Sequence, residues 1–103
     1  MARYDVYAVL GDQGYVVDVQ SDLLEDLNTR VVVPLMSLDT APKPADRLNP
    51  VFNLNGIDYV LVTQFLSSVP VKRLGSVVEN IEHHHSEIVS AVDMLLQLSL
   101  IHI

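Results

Sequence analysis

Three consecutive histidines, His83-His84-His85, are the first side chains in this sequence that could do chemistry. Histidines on a helix share a metal ion when they stand three or four residues apart, because that spacing puts them on one face. Consecutive positions point about 100° apart, so this run cannot converge on one ion. We read it as solvated or close to a helix cap. A second candidate is the carboxylate group Asp22, Glu25 and Asp26. Paired carboxylates do acid–base work when their surroundings drive their pKa values apart. Beside Asn28 and Thr29 they read more simply as groups that cap and solvate a loop. A Ser-His-Asp set can be drawn on paper from many serines and four histidines, but there is no Gly-x-Ser-x-Gly, no phosphate loop and no Gly-x-Gly-x-x-Gly. No catalytic residue, metal site or cofactor is expected.

Composition narrows the class further. The chain has 103 residues, enough for one domain spanning residues 1–103. Half the residues are apolar and 18% are charged, which excludes a disordered protein. The apolar excess points to a face covered by a partner or a second copy. The absence of cysteine excludes disulfides, a thiol nucleophile and cysteine-based zinc sites, and it agrees with a cytoplasmic protein. Residues 1–5 lack the apolar stretch of a signal peptide, and no run of about 18 apolar residues is present to span a membrane. Thirteen acidic residues stand against six basic ones, for a net charge of −7. The basic residues Arg3, Arg30, Lys43, Arg47, Lys72 and Arg73 are scattered, so direct nucleic-acid binding is disfavoured and protein partners are expected.

The elements that must position any site follow from periodicity. Seventeen valines predict a β-rich body. Residues 4–10 read as a strand, with Tyr4, Val6 and Ala8 on one face and Arg3, Asp5 and Tyr7 on the other. Gly11-Asp12-Gln13-Gly14 is a tight connection, and residues 15–19 return as the second strand of a hairpin. Residues 21–29 form an irregular loop or one helical turn capped by Ser21. Residues 30–36 are a strand in which Pro34 demands an edge position or a bulge. Residues 37–50, with Pro42, Pro44 and Pro50, form a surface loop. Asn55-Gly56 between residues 51–54 and 57–62 predicts a type I′ hairpin, and residues 69–71 one more short strand. From Gly75 the period changes to about 3.6. Ser76-Val77-Val78-Glu79 matches a capping box, and Val77, Val78, Ile81, Ile88, Val89, Val92, Leu95 and Leu96 form a helix stripe. Ser86 is a rival N-cap, so the helix starts at one or other end of the His83–His85 segment. The tail Leu98-Ser99-Leu100-Ile101-His102-Ile103 is what one frame of CTGTCTCTTATACACATC encodes, the end of a transposase sequencing adapter. Residues 98–103 are therefore expected to be adapter-derived and are set aside in reasoning about function.

Motifs alone stop at a β-rich domain with a C-terminal helix. Three blocks take the reading further. Val17-Asp18-Val19-Gln20-Ser21-Asp22-Leu23-Leu24 is followed by Asn28-Thr29-Arg30-Val31-Val32-Val33-Pro34-Leu35 and later by Ser68-Val69-Pro70-Val71. In combination, order and spacing, over about residues 4–96, they resemble the signature of the CcdB toxin family. The resemblance implies a mainly β (α+β) fold, an SH3-like β-barrel with a C-terminal amphipathic α-helix, assembled as a homodimer. It also implies the toxin of a type II toxin–antitoxin system used in plasmid maintenance. Such a toxin is no enzyme: it binds the DNA gyrase A subunit and traps the cleaved-DNA complex. A cognate antitoxin with a disordered C-terminal tail holds it silent. By motif position the gyrase-facing surface comprises Leu23, Leu24 and Glu25 together with Ser90, Asp93 and Leu96. The family's C-terminal Trp-Gly-Ile is absent, and Gln97 and Leu98 stand in the Trp and Gly places. Either the native tail was lost at the adapter junction or this homologue binds differently. Two alternatives stay open: an mRNA-cleaving endoribonuclease toxin of the same barrel architecture, and an inactive truncated homologue.

Overall fold

The structure is a computed structural model. It describes residues 2–9, 14–24 and 26–101, with side chains of the C-terminal helix described as far as Gln97. β1 (Asp5–Val9) and β2 (Tyr15–Asp18) form the expected antiparallel pair, with Val6 opposite Val17 and Tyr7 opposite Val16. The proposed turn at residues 11–13 lies outside the described residues. The expected two-faced pattern of the first strand needs correction, because Asp5, Val6 and Tyr7 are all buried. The sheet packs on both faces: Val6 joins the larger core cluster and Tyr7 the smaller one. Tyr4 also leaves the strand, with φ of 72°. A bulky residue adopts this left-handed conformation only under constraint. Here its N–H donates to Asp18 O at 2.6 Å and its carbonyl accepts from Ile81 N at 3.0 Å.

β3 (Thr29–Ser37) is the spine of the sheet. One side pairs with β2. The other pairs with β6 (Ser67–Pro70) over residues 29–32 and with β5 (Ile57–Leu61) over residues 35–37. Pro34 therefore sits neither on an edge strand nor at a bulge, contrary to the sequence expectation. It falls in the gap between two end-to-end partners. Its carbonyl accepts from Val62 N at 2.9 Å on the side its missing N–H would face, so no β2–β3 ladder bond is lost. β4 (Val51–Leu54) and β5 close the hairpin as predicted, with positive φ at Asn55 (53°) and Gly56 (87°). The proline-rich segment between β3 and β4 is irregular, as expected. It is anchored by buried Asn49, whose Nδ2 donates to Leu61 O at 3.1 Å.

The largest correction concerns residues 74–80. They form β7 (Leu74–Asn80), a strand paired antiparallel with β1, and not the start of a helix. Val77 and Val78 are exposed strand residues outside any helix stripe. The Ser-x-x-Glu cap could stabilise one helical turn by about 1 kcal/mol, whereas a full ladder on the open edge of β1 satisfies a whole row of backbone groups in β-branched sequence. After a short 3-10 turn at Glu82–His84, α1 runs His85–Ile101. Ser86 lies inside it and does not cap it; Asn80 Oδ1 instead accepts from Glu82 N at 2.9 Å at the entry. The sheet order is β4-β5-β3-β2-β1-β7, with β6 added on β3. The sheet curls into a half-barrel, and α1 packs Ile88 and Ala91 against Tyr4, Val6, Val17, Leu35 and Phe52. This is the mainly β, SH3-like barrel with a terminal helix that the resemblance implied. No helix among the described residues is long and apolar enough to cross a membrane.

Candidate functional site

The reactive-looking side chains turn out to build structure. The His84 ring stacks on Phe52 at 4.4 Å, and its Nδ1 lies 3.0 Å from Glu87 Oε1. His85 Nδ1 lies 3.1 Å from Glu82 O. Together they fix the entry of α1, while His83 is exposed. Ser86 Oγ lies 3.4 Å from His85 Nε2, but the other ring nitrogen meets a backbone carbonyl and no acid, so the pair lacks the third member of a triad. Among the described residues no group of three His, Asp or Glu could hold a metal ion. Of the carboxylate cluster, Asp26 is exposed, Glu25 lies outside the described residues, and Asp22 Oδ1 accepts from Arg3 N at 2.9 Å.

The residues of the Val-Asp-Val-Gln-Ser-Asp block act as a clamp. Asp18 Oδ2 accepts from Arg30 Nε at 2.7 Å, and both side chains have 0% exposure. The other carboxylate oxygen of Asp18 accepts from Gln20 N at 3.0 Å. Buried Gln20 then spans two segments: its Oε1 accepts from Val31 N at 3.1 Å and its Nε2 donates to Leu24 O at 2.9 Å. Ser21 Oγ accepts from Leu23 N at 3.3 Å, the capping role expected of it. The bond to Asp18 holds the Arg30 guanidinium firmly charged against the cost of burial. Beside this pair, burial pushes the Tyr7 phenol up to about 12, with the carboxylates of Asp5 and Asp18 adding to the effect.

The clamp holds a 3-10 turn, Asp22–Leu24, that turns its leucines outward. Leu23 is 93% exposed and Leu24 49%. Side-chain hydrogen bonds from Asp22, Gln20 and Ser21 hold the turn that displays Leu23. Arg3 joins this turn to α1. Its main-chain N–H binds Asp22, and Arg3 lines a small cleft of about 70 Å³ with Val19, Ile88, Val89, Val92 and Asp93. Its guanidinium lies over the Tyr4 ring at 5.0 Å. Leu96, 53% exposed, stands seven residues after Val89 and three after Asp93, so it shares their helix face. Ser90 stands apart: it is half-buried and its Oγ accepts from Arg47 Nε at 2.7 Å. Sequence reasoning missed the roles of Arg3 and Tyr4, which carry no motif, and the bridging role of Gln20, which it read only as part of the block at residues 17–24.

The architecture is thus a curled half-barrel closed by one helix, with a clamped turn presenting leucines. The family model described as CcdB protein matches residues 3–97, and the chain belongs to that family. The family comprises toxins of toxin–antitoxin pairs, generally directed at gyrase.

Proposed function

We propose that this protein is a homodimeric cytoplasmic toxin that binds the A subunit of bacterial DNA gyrase, traps the cleaved-DNA complex and performs no chemistry itself. A labile antitoxin with a disordered tail silences it, and the pair serves plasmid maintenance. The observation that carries this reading is Leu23, almost fully exposed on a turn immobilised by Asp22, Gln20 and Ser21. Preorganised apolar anchors of this kind dominate binding energies. Leu24, Glu25, Ser90, Asp93 and Leu96 complete the proposed surface, with Ser90 acting through its bond to Arg47. The family match, the displayed leucines and the acidic charge of −7 all support contact with a protein. A ribonuclease would need several cations and a general base gathered in one groove; Arg30 is buried against Asp18, and among the described residues the large groove beside β6 is lined by one cation, Arg73, with no His, Asp or Glu.

The test is a gyrase supercoiling and DNA-cleavage assay with the purified chain and with a version carrying the parent gene's own codons after Gln97. Comparing the two versions measures what the residues after Gln97 contribute to binding. Inhibition with trapped cleaved DNA is expected, stronger for the restored chain by about 2–4 kcal/mol of affinity if an anchor is regained. Leu23→Asp should fold normally and bind gyrase at least tenfold more weakly. Full supercoiling with the restored chain would end the gyrase reading and leave the inactive homologue.

A further inference from the structure

The tip of the β4–β5 hairpin carries a reactive pair that the leucine surface does not use. Asn55 and Gly56 are both exposed. They take the two positive φ angles of the turn, 53° and 87°. An asparagine carboxamide beside the next peptide nitrogen is an electrophile beside a nucleophile, and the following side chain normally keeps the two apart. The chain has five asparagines. Asn49 precedes Pro50, which has no N–H to lose. Asn28, Asn53 and Asn80 precede Thr29, Leu54 and Ile81, whose side chains crowd the nitrogen. Asn55 alone precedes a glycine, and a Cβ built on Gly56 would meet nothing within 4 Å. Solvent base therefore reaches that nitrogen without obstruction.

The fold adds a restraint. Gly56 N–H donates to Asn53 Oδ1 at 3.1 Å, and Asn53 Nδ2 donates to Asp58 Oδ1 at 3.0 Å. Asn53 and Asp58 stand opposite each other in the β4–β5 register. The proton that must leave before the nitrogen can attack is thus held by a side chain that the neighbouring strand fixes in place. The left-handed backbone at Asn55 must also rotate before its carboxamide meets Gly56 N. Both restraints are released when the tip opens. β4 ends the sheet and has β5 as its one strand partner among the described residues, so no further strand holds the tip closed.

We propose that Asn55 is a site of self-modification, converted to aspartate and isoaspartate by attack of Gly56 N, and that the Asn53–Asp58 latch sets the rate. Solvent base takes the Gly56 amide proton. The nitrogen bonds to Asn55 Cγ, the bond from Cγ to the side-chain nitrogen breaks, and ammonia leaves with a proton from water. The five-membered imide then adds one water. Opening at Cγ gives aspartate. Opening at the main-chain carbonyl gives isoaspartate, whose backbone runs through Cγ and is one carbon longer. One water is consumed and one ammonia released overall. The aspartate product keeps the turn, because Asp-Gly also accepts type I′ geometry. The isoaspartate product does not fit a two-residue turn, so it strains Phe52 and Leu54, both buried in the larger core. This chemistry is independent of the gyrase reading.

Ageing the purified full-length protein in mildly alkaline buffer tests this, with ammonia release, peptide mass mapping and enzymatic isoaspartate labelling as readouts. Conversion is expected at Asn55 and not at Asn28, Asn49, Asn53 or Asn80, and it should quicken as pH rises. The chain unfolded in urea gives the unrestrained rate and should convert faster than the folded one. Asn53→Ala, at an exposed position, should speed conversion of the folded chain about fivefold, the scale of one lost hydrogen bond, and leave the rate in urea unchanged. Asp58→Ala should do the same by freeing Asn53, whereas Asp58→Asn keeps an acceptor and should age as the parent does. Aged protein rich in isoaspartate should melt earlier than fresh protein, and Asn55→Asp should melt with the fresh parent. The proposal is overturned if Asn55 stays intact in the folded chain while the unfolded chain converts, or if another asparagine converts as fast. It is equally overturned if Asn53→Ala and Asp58→Ala both age at the parent's rate. None of these readouts involves gyrase, so failure of the gyrase reading leaves them untouched.

Discussion

Removing Arg30 should expose how the leucine turn is held. Arg30 and Asp18 are both at 0% exposure and joined at 2.7 Å, while Arg30 Nη1 and Nη2 find no acceptor among the described residues. Arg30→Met leaves Asp18 as a buried, unpaired carboxylate, which typically costs about 3–5 kcal/mol. Against a total stability of roughly 5–15 kcal/mol this is a large share. It corresponds to a fall in Tm on the order of 20 °C for a domain of this size. The double variant Asp18→Leu, Arg30→Met should behave differently. It removes both charges and the two unpaired guanidinium nitrogens, so only the Asp18–Gln20 hydrogen bond is lost, at about 1 kcal/mol. Urea denaturation of the wild type, both single variants and the double variant measures the cycle. The expected result is a strongly destabilised Arg30→Met rescued by the second change. If the double variant is as unstable as the sum of the singles, the ion pair is not what stabilises this site, and the reasoning fails. Hydrogen exchange at Leu23 and Leu24 should rise in Arg30→Met, because Gln20 is positioned by the same carboxylate.

Three further outcomes follow from the same structure. The Tyr7 phenol is pushed up to about 12, so its neutral form is favoured in the fold; that stabilisation is complete below pH 10 and is lost as pH rises from 10 to about 12, by roughly 2–3 kcal/mol, and Tyr7→Phe should flatten this limb in urea denaturation. Gly75→Ala would place a Cβ 2.6 Å from Ala8 O, so β7 must move off β1, at a cost of about 1–3 kcal/mol visible as faster exchange of β1 amides. Ile88→Ala empties the contact of α1 with the larger core and should cost about 2–5 kcal/mol in thermal denaturation.

What could be read from the residues was local. Asn55-Gly56 announces its turn because few other pairs accept two positive φ angles. The valine runs mark β2 and β3 through β-branching. The blocks at residues 17–24, 28–35 and 68–71 point to the family in combination, and the family model matches residues 3–97. Ile88 is placed on a buried helix face by its period, and Val92 and Leu95 follow it to half-buried positions.

What the residues could not show was how segments far apart in the chain meet. Ser76-Val77-Val78-Glu79 is a competent helix start by itself and becomes strand because β1, about seventy residues earlier, offers an open edge. Pro34 is harmless in a central strand because β5 and β6 abut end to end beside it. Arg30 reads as a surface cation until Asp18 is seen beneath it. Residue type and spacing determine turns, propensities and family; partners across the sheet determine burial and pairing, because those energies arise from contacts between residues the chain's order does not place side by side.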